Sequence, residues 1–460
     1  MRSFASFRRA VVASLLAMGA ASQASAADDP AVLLAQLQAL PNVASAAQAP
    51  STIPDTLFFR LSFRQPVDHA HPEGPSFLQR ATLLHRDRSR PVVLATEGYA
   101  ASMLSRQGEL AFLLQANQLR VEHRFFDAST PAVLDWTRLD IAQAAADHHA
   151  LVQGFKGLYG GKWVATGASK GGMTSVYFRA LYPDDVDATV AYVAPTSQGG
   201  NDARYVQFLA QVGTADCRER LRRFQEVALS RRDGLLALMA DGYAALGKAR
   251  TLEFSILETP FAFWQYQDAS LCPEIPGAAD SDATLLAFVE AIVGLDPSDA
   301  RLHYYAPYYY QSATQLGGPR IDERGLGALL NYPRQDIPQN YPPQGVPKVF
   351  QHDAMPRIEA WVQGFGERML FIYGENDPWS TNPFQVQARN DSWRLVVRGA
   401  GGNHGANLAR LSTADREFAL AKLEQWLGVD IAERARANAG APALDGNTVT
   451  EPTRAELYLR

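Results

Sequence analysis

The stretch TGASKGGMTS (166–175) places a serine in a setting that is typical of a nucleophile. It fits the pattern G-x-S-x-G centred on Ser169, in which the serine occupies a sharp turn between a strand and a helix. The apolar run KWVATG (162–167) predicts the strand, and GMTSVYFRALYP (172–183) predicts the helix. The pattern also occurs by chance, so a glycine-rich turn that merely contains a serine is the competing interpretation.

A serine hydroxyl is a weak nucleophile near pH 7 and needs a base, which in turn needs an orienting carboxylate. Asp377 follows the predicted strand RMLFIYG (368–374), and His404 lies in a glycine-rich loop after the predicted strand WRLVVRG (393–399). The chain order serine, acid, histidine is the order expected when a G-x-S-x-G serine is part of a triad. The three signals together indicate acyl transfer through a covalent intermediate.

Each partner also has an alternative interpretation. A histidine in a loop is more often structural than catalytic, and Asp377 before Pro378 fits an ordinary turn. Glu375 is a rival for the acid role, since it lies closer to the strand end. We favour Ser169, Asp377 and His404 as the catalytic residues.

A tetrahedral intermediate needs two backbone N–H donors near its oxyanion. The amide of Lys170, directly after the serine, is expected to supply one, while its side chain need not take part. The second donor should come from the loop TEGYA (96–100), with Gly98 and Tyr99 as candidates.

Predicted strands alternate with helices along most of the chain, which favours a mainly parallel sheet covered on both faces. Residues 200–340 interrupt this alternation with helices and aromatic-rich loops, and we call this segment the lid. We therefore predict an α/β fold, namely an α/β-hydrolase fold with a mainly parallel sheet and a helical lid inserted between late strands. The predicted divisions are a signal peptide (1–26), an N-terminal arm (27–50) that looks loosely held, a first core part (51–199), the lid (200–340), a second core part (341–435) and a C-terminal tail (436–460).

The first residues predict export. Three arginines, an apolar run (10–21) and the small residues ASA (24–26) form a secretory signal peptide, cleaved after Ala26. The apolar run is too short for a membrane anchor, so we expect a soluble protein, secreted or periplasmic, with no membrane attachment after cleavage. Export would expose Cys217 and Cys272 to an oxidising compartment, which favours a disulfide over two buried thiols.

Composition excludes several other classes of function. The formal net charge is −5 and no basic block or stripe occurs, which argues against a nucleic-acid partner. The two cysteines have no neighbouring cysteine or histidine at metal-ligand spacing. We expect neither a metal nor another cofactor.

Seven stretches occur in an order that resembles a known family: RQPVDHAHPEGPSFLQR (64–80), LATEGYA (94–100), VEHRFF (121–126), TGASKGGMT (166–174), YVAP (192–195), GENDPW (374–379) and GGNHG (401–405). Together they are similar to the secreted prolyl tri- and tetrapeptidyl aminopeptidases, α/β-hydrolase serine peptidases related to prolyl carboxypeptidase. The resemblance covers residues 55–430 and is least clear in the lid.

The resemblance implies an enzyme that removes a tri- or tetrapeptide from a free N-terminus, preferring proline before the cleaved bond. The family's Ser, Asp and His motifs fall on the three residues chosen above. Glu97 is a candidate counter-charge for the substrate ammonium, although it could instead order the EHR segment through Arg124. Two aromatic runs of the lid, FAFWQYQ (261–267) and HYYAPYYY (303–310), offer side chains for a proline pocket.

Two other functions remain open on the same core. One is a secreted esterase or lipase, which would cleave simple acyl esters. The other is an inactive hydrolase fold used for binding, against which the intact Ser, Asp and His settings argue.

Overall fold

The computed structural model describes residues 28–295 and 298–431, and in this part of the chain nine strands form one sheet. The strands are β1 (Val43–Ala49), β2 (Leu57–Pro66), β3 (Ser76–His85), β4 (Val92–Thr96), β5 (Asn117–Val121), β6 (Trp163–Ala168), β7 (Ala188–Tyr192), β8 (Met369–Gly374) and β9 (Trp393–Val397). Their order across the sheet is β1-β2-β3-β5-β4-β6-β7-β8-β9. The pairs from β1 to β5 are antiparallel and the five pairs from β5 to β9 are parallel.

Three of the central strands, β4, β7 and β8, are short and mainly apolar because both of their faces are covered, whereas β5 has polar residues that are also buried. Every residue of β4, β5, β7 and β8 is buried. Strands that are buried on both faces are apolar along their whole length rather than alternating. The run RMLFIYG (368–374), from which the sequence predicted a strand, is of this kind and forms β8.

Twelve helices accompany the described strands: α1 (Pro30–Gln38), α2 (Glu109–Leu113), α3 (Ile141–Lys156), α4 (Lys170–Leu181), α5 (Arg204–Leu209), α6 (Ala215–Ser230), α7 (Arg232–Leu238), α8 (Lys248–Tyr266), α9 (Asp282–Ile292), α10 (Asp299–Gln311), α11 (Ala354–Phe365) and α12 (Thr413–Leu427). One apolar core joins the sheet to α1, α3, α4 and α11, and a second joins it to α2 and α12. The sheet order with helices on both faces is that of the predicted α/β-hydrolase fold.

Helices α5 to α10 lie between β7 and β8, within the segment for which the sequence predicted a lid. They have an apolar core of their own, which includes Phe224, Leu252 and Trp264. Cys217 on α6 and Cys272 form a disulfide inside this core, with their Cα atoms 5.3 Å apart. The predicted pairing of the two cysteines is therefore confirmed.

The expectation of a loosely held arm is wrong for residues 28–50. Leu33 and Leu37 are one helical turn apart on α1, and both are fully buried against the sheet. Strand β1 then pairs with β2 along six residues. The Ala- and Gln-rich composition hid these elements, because so few apolar residues are needed to hold an edge strand and a short helix.

The predicted signal peptide and the C-terminal tail (436–460) lie outside the described residues. Within the described ranges, no helix combines the length and the apolar composition that crossing a membrane would require.

Candidate active site

Ser169 lies at the turn between β6 and α4, in a backbone conformation that side chains rarely adopt. Its φ is 53° and its ψ is −125°. Its N–H donates a hydrogen bond to the carbonyl of Tyr192 on the next strand (2.9 Å), which holds the turn in place. A Cβ at Gly167 would lie 2.3 Å from the carbonyl oxygen of Gly171, so this close turn requires glycine there. Strain of this kind is typical of a nucleophile elbow.

Asp377 and His404 are in direct contact. The Nδ1 of His404 lies 3.0 Å from each carboxylate oxygen of Asp377, and both side chains are fully buried. The hydroxyl of Ser380 donates a 2.6 Å hydrogen bond to Asp377 Oδ2, and the N–H of Trp379 donates to Oδ1 (3.2 Å). Because carboxylate oxygens accept hydrogen bonds, this contact places the proton of a neutral His404 on Nδ1.

The other ring nitrogen of His404, Nε2, has no hydrogen-bond partner among the described residues. The ring packs between Tyr266 and Trp379, at centroid distances of 6.1 and 6.4 Å. Both aromatic residues also line the cavity that contains Ser169. The two rings that flank His404 are thus part of the cavity wall, while no hydrogen bond joins Nε2 to the hydroxyl of Ser169 in this structure.

The rival acid, Glu375, is in a different environment. Its Oε2 accepts a hydrogen bond from the N–H of Gly399 (3.0 Å), and Oε1 lies 3.6 Å from Arg398. Its side chain is nearly half exposed, whereas that of Asp377 is not exposed at all. Glu375 thus connects the turn after β8 to the turn after β9 through a hydrogen bond, while Asp377 contacts the histidine.

The loop after β4 packs directly on the serine turn. A Cβ at Gly98 would lie 2.6 Å from the Cβ of Lys170 and 2.6 Å from the backbone nitrogen of Gly171, so only glycine fits at position 98. The backbone N–H of Lys170 lies in the first turn of α4. The side chain of Ser169 makes no capping hydrogen bond to this turn. The candidate donors at Lys170 and at Gly98 or Tyr99 are therefore on neighbouring backbone segments.

The side chain of Lys170, for which the sequence suggested no role, holds this loop. Its Nζ donates a 2.6 Å hydrogen bond to the carbonyl oxygen of Gly98. It also lies over the rings of Tyr99 and Phe126, 5.5 and 5.2 Å from their centroids. Burial in this apolar surrounding lowers the pKa of Lys170 well below its ordinary value.

Glu97 is bonded to a different arginine from the one considered in the sequence analysis. Its Oε1 accepts a 2.5 Å hydrogen bond from Arg120, which the parallel pairing of β4 with β5 places beside it. Arg124 instead forms two hydrogen bonds with Asp147, at 2.7 and 2.8 Å. Glu97 is not among the described residues that line the cavity, and burial raises the pKa of its carboxyl group.

The cavity at Ser169 has a volume of about 360 Å³ and lies between the core and the lid. The two aromatic runs singled out in the sequence contribute five aromatic side chains to its lining: Phe261, Tyr266, Tyr305, Tyr308 and Tyr309. The remaining aromatic residues of FAFWQYQ, Phe263 and Trp264, are buried in the lid core instead.

Charged side chains from the lid also line the cavity: Glu258, Glu290, Arg301 and Asp336. Sequence analysis did not identify them. The only local signal was that Glu258 lies about one helical turn before Phe261, which turns both side chains toward the same side of α8. In the described part of the chain, no group of His, Cys, Asp and Glu side chains is arranged to hold a metal ion.

Comparison with known proteins shows which proteins this chain is similar to. It is 40% identical over 383 residues to a prolyl tri/tetrapeptidyl aminopeptidase from Streptomyces mobaraensis, covering 80% of each chain. Among solved structures, it is similar to a peroxisomal alpha-beta-hydrolase from Saccharomyces cerevisiae, with 10% identity, coverage of 84% of this chain and 95% of that chain, and a TM-score of 0.37. It is also similar to a proline iminopeptidase from Mycobacterium smegmatis, with 13% identity, coverage of 84% and 98%, and a TM-score of 0.36.

The two structural similarities are too distant to bear on activity. The family comparison is decisive, because residues 29–448 match the PS-10 peptidase S37 family. The chain therefore belongs to that family, and it is a serine peptidase.

Proposed function

We propose that the protein is an exported aminopeptidase that releases tri- or tetrapeptides from a free N-terminus and prefers proline before the cleaved bond. The observation that carries the catalytic part is the buried Asp377–His404 pair, whose flanking rings, Tyr266 and Trp379, line the same cavity as Ser169. The name of the 40% identical relative supports the peptide length and the proline preference.

The proposed mechanism uses the three residues in two steps. In the first step His404 Nε2 accepts the proton of the Ser169 hydroxyl while Oγ attacks the carbonyl carbon of the cleaved bond. The same proton passes to the leaving amine, and the C–N bond breaks. The N-terminal tri- or tetrapeptide then remains attached to Ser169 as an ester. In the second step water attacks the ester, His404 again takes and returns a proton, and the peptide leaves with a free carboxylate. Asp377 holds the ring and stabilises its charged form in both steps.

The developing oxyanion would be bound by the N–H of Lys170 and by that of Gly98 or Tyr99. Tyr99 is the stronger candidate for the second donor. Lys170 Nζ holds the carbonyl of Gly98 on one side of the peptide bond, and in a planar trans peptide the N–H of Tyr99 then points the opposite way. The carbonyl of Tyr99 is also fixed, by the N–H of His123 (3.0 Å). Fixed donors of this kind need no reorganisation during the reaction.

Proline specificity would come from the aromatic lining of the cavity. A proline ring is rigid and largely apolar, and Phe261, Tyr266 and Trp379 lie around the same cavity as Ser169. Export is the other part of the proposal, and the Cys217–Cys272 disulfide supports it, since such bonds persist in oxidising compartments.

Mass spectrometry of the products from a small library of free and N-acetylated peptides tests the proposal. We expect tri- or tetrapeptides ending in proline from the free peptides and little release from the acetylated ones. Ser169→Ala should lose nearly all turnover, since loss of a triad nucleophile costs on the order of a million-fold in rate. Labelling of the wild type, but not of this variant, by a fluorophosphonate is the matching control.

Several results would contradict the proposal. Internal cleavage of long peptides would exclude an aminopeptidase. Rapid cleavage of short acyl esters without any peptide release would favour the esterase alternative. No turnover and no labelling of Ser169 would indicate an inactive fold used for binding.

A further inference from the structure

A carboxylate of the lid faces the cavity with one oxygen unpaired. Asp336 is only 6% exposed and lines the same cavity as Ser169. Its Oδ1 accepts a 2.7 Å hydrogen bond from the hydroxyl of Tyr341, whereas its Oδ2 has no hydrogen-bond partner among the described residues. A buried carboxylate oxygen without a donor is costly, so this position is suited to a ligand that supplies one.

A second carboxyl group, that of Glu258 on α8, also lines the cavity and interacts with Asp336. Burial is the main cause that raises the pKa of Asp336 to about 7, and the charge of Glu323 raises it further, while the hydrogen bond from Tyr341 and the interaction with Glu258 oppose this. Asp336 is buried and Glu258 is half-buried, and like charges this close favour the binding of a cation or a proton. The pair is therefore a site for a positively charged ligand with several N–H donors.

The other charged residues that line the cavity are Arg301, Glu290 and Lys170. Arg301 lies against the ring of Tyr305, 5.3 Å from its centroid. Lys170 is bonded to the carbonyl of Gly98 next to the serine. The lid side of the cavity thus has three acids and one base.

Helix α8 connects Glu258 with a backbone contact of the catalytic histidine. Gln265 lies near the C-terminal end of α8, and its carbonyl accepts a 2.9 Å hydrogen bond from the backbone N–H of His404. Glu258 precedes Gln265 by seven residues, which at 1.5 Å per residue places it about 10 Å back along the helix axis. Both side chains line the cavity. Three residues of extended peptide span about the same 10 Å.

The helix is intact over this interval although it contains Pro260. Proline has no N–H, so the carbonyl of Ile256, four residues earlier, loses its partner within the helix. The side-chain amide of Gln225 on α6 donates to that carbonyl (3.1 Å) and to the carbonyl of Leu257 (3.2 Å). The spacing between Glu258 and Gln265 is therefore stabilised by the lid itself.

We propose that Asp336 and Glu258 bind the N-terminal ammonium of the substrate, with α8 setting the length of the released peptide at about three residues. This inference rests on the proposed function, since it concerns the same cavity. It places the counter-charge in the lid, and makes Glu97, which is already bonded to Arg120, a positioning residue for the loop after β4.

The test compares the variants Asp336→Asn and Glu258→Gln with two controls, Glu97→Gln and Glu290→Gln, on three substrates. The substrates are Ala-Ala-Pro-p-nitroanilide with a free N-terminus, the same compound N-acetylated, and p-nitrophenyl acetate. The Glu290 control removes the same charge from the wall of the same cavity. Circular dichroism melting identifies variants that have not folded, and the two lid variants are independent of each other in this respect.

We expect Asp336→Asn and Glu258→Gln each to lower kcat/KM for the free tripeptide by about ten- to a hundredfold, mainly through KM. Their kcat/KM for the acetylated compound and the ester should change far less, so that the preference for a free N-terminus collapses. Glu97→Gln and Glu290→Gln should keep that preference. The dipeptide Ala-Pro-p-nitroanilide, whose ammonium falls about one residue short of the pair, should be a poor substrate of the wild type.

Three results would overturn the inference. One is an unchanged preference for the free tripeptide in both lid variants, and a second is loss of that preference in Glu97→Gln alone. The third is equal cleavage of dipeptide and tripeptide by the wild type. Failure of the proposed function looks different, since the wild type would then fail to cleave the free tripeptide while still cleaving the ester, or would cleave neither.

Discussion

The side chain of Lys170 offers the sharpest test of how the oxyanion site is built. Lys170→Met keeps an unbranched side chain of similar size on the first residue of α4 but removes the hydrogen bond from Nζ to Gly98 O (2.6 Å). Methionine is compatible with the aromatic surroundings formed by Tyr99 and Phe126. The substitution therefore isolates the hydrogen bond from the packing.

The expected loss of kcat depends on which group the hydrogen bond from Lys170 Nζ holds in place. Without it, the peptide between Gly98 and Tyr99 is free to rotate, and the N–H of Tyr99 is no longer fixed toward the oxyanion. Loss of one oxyanion donor costs about 10²–10³ in kcat. The close packing of Gly98 on the backbone of Gly171 restricts this rotation. We therefore expect the lower end, roughly a hundredfold in kcat, with little change in KM.

Unlike kcat, the thermal stability of Lys170→Met should stay the same or increase. Lys170 is buried, and burial alone lowers its pKa, so its amino group is in an unfavourable environment. Replacing such a group by an apolar side chain of similar volume is often neutral or stabilising. A large loss of kcat in a protein that melts at or above the wild-type temperature would separate positioning of the donor from general damage.

Steady-state kinetics on the free tripeptide anilide and thermal melting measure the two quantities. Lys422→Met is the matched control, because Lys422 also lies over two aromatic rings, those of Trp393 and Phe418, but is on α12 and does not line the cavity. A Lys170→Met enzyme with a wild-type kcat would refute the reasoning. So would a loss of kcat that the Lys422 control shares.

Three further predictions concern the acid, the disulfide and pH. Asp377→Asn should lose about four orders of magnitude in kcat, because the histidine is then held in the wrong tautomer, whereas Glu375→Gln should keep most of its activity; equal losses in kinetic assays would contradict this. Replacing Cys217 and Cys272 by serine should lower the free energy of unfolding by about 4 kcal/mol for a separation of 55 residues, measured by urea unfolding, and an unchanged midpoint would contradict it. With a pKa of about 7, Asp336 is mostly protonated below pH 7 and cannot pair fully with an ammonium. The ratio of kcat/KM for the free tripeptide to that for p-nitrophenyl acetate, in which pH effects common to both substrates cancel, should thus fall from pH 7 to pH 5, a range in which the substrate's α-amino group, with its pKa of about 7.7–8.0, stays protonated; a flat ratio would contradict the assignment.

Local sequence determined the parts of the site that depend on neighbouring residues. The strand, the glycine turn and the helix around Ser169 were predictable because a tight turn at positive φ requires glycine beside the serine. The strands that precede Ser169, Asp377 and His404 were predictable because each is a mainly apolar run, fully buried in β8 and partly buried in β9. The helices of the lid and the disulfide within it were also indicated by the sequence.

Tertiary structure decided the questions that depend on distance in space. Asp377 and Glu375 are two residues apart and chemically similar, and only the path of the turn after β8 brings one of them to the histidine. The pairing of β4 with β5 selected Arg120 as the partner of Glu97.

The contact between the two carboxyl groups of the lid had no sequence signal, although Glu258 lies one helical turn before Phe261 on α8. Glu258 belongs to α8, while Asp336 lies in an irregular segment beyond α10, so no periodic pattern connects them. Their meeting in the cavity depends on how the lid packs over the core. Side chains that are far apart in the chain form a site only when the fold packs them together. No local pattern in a single sequence predicts such a contact.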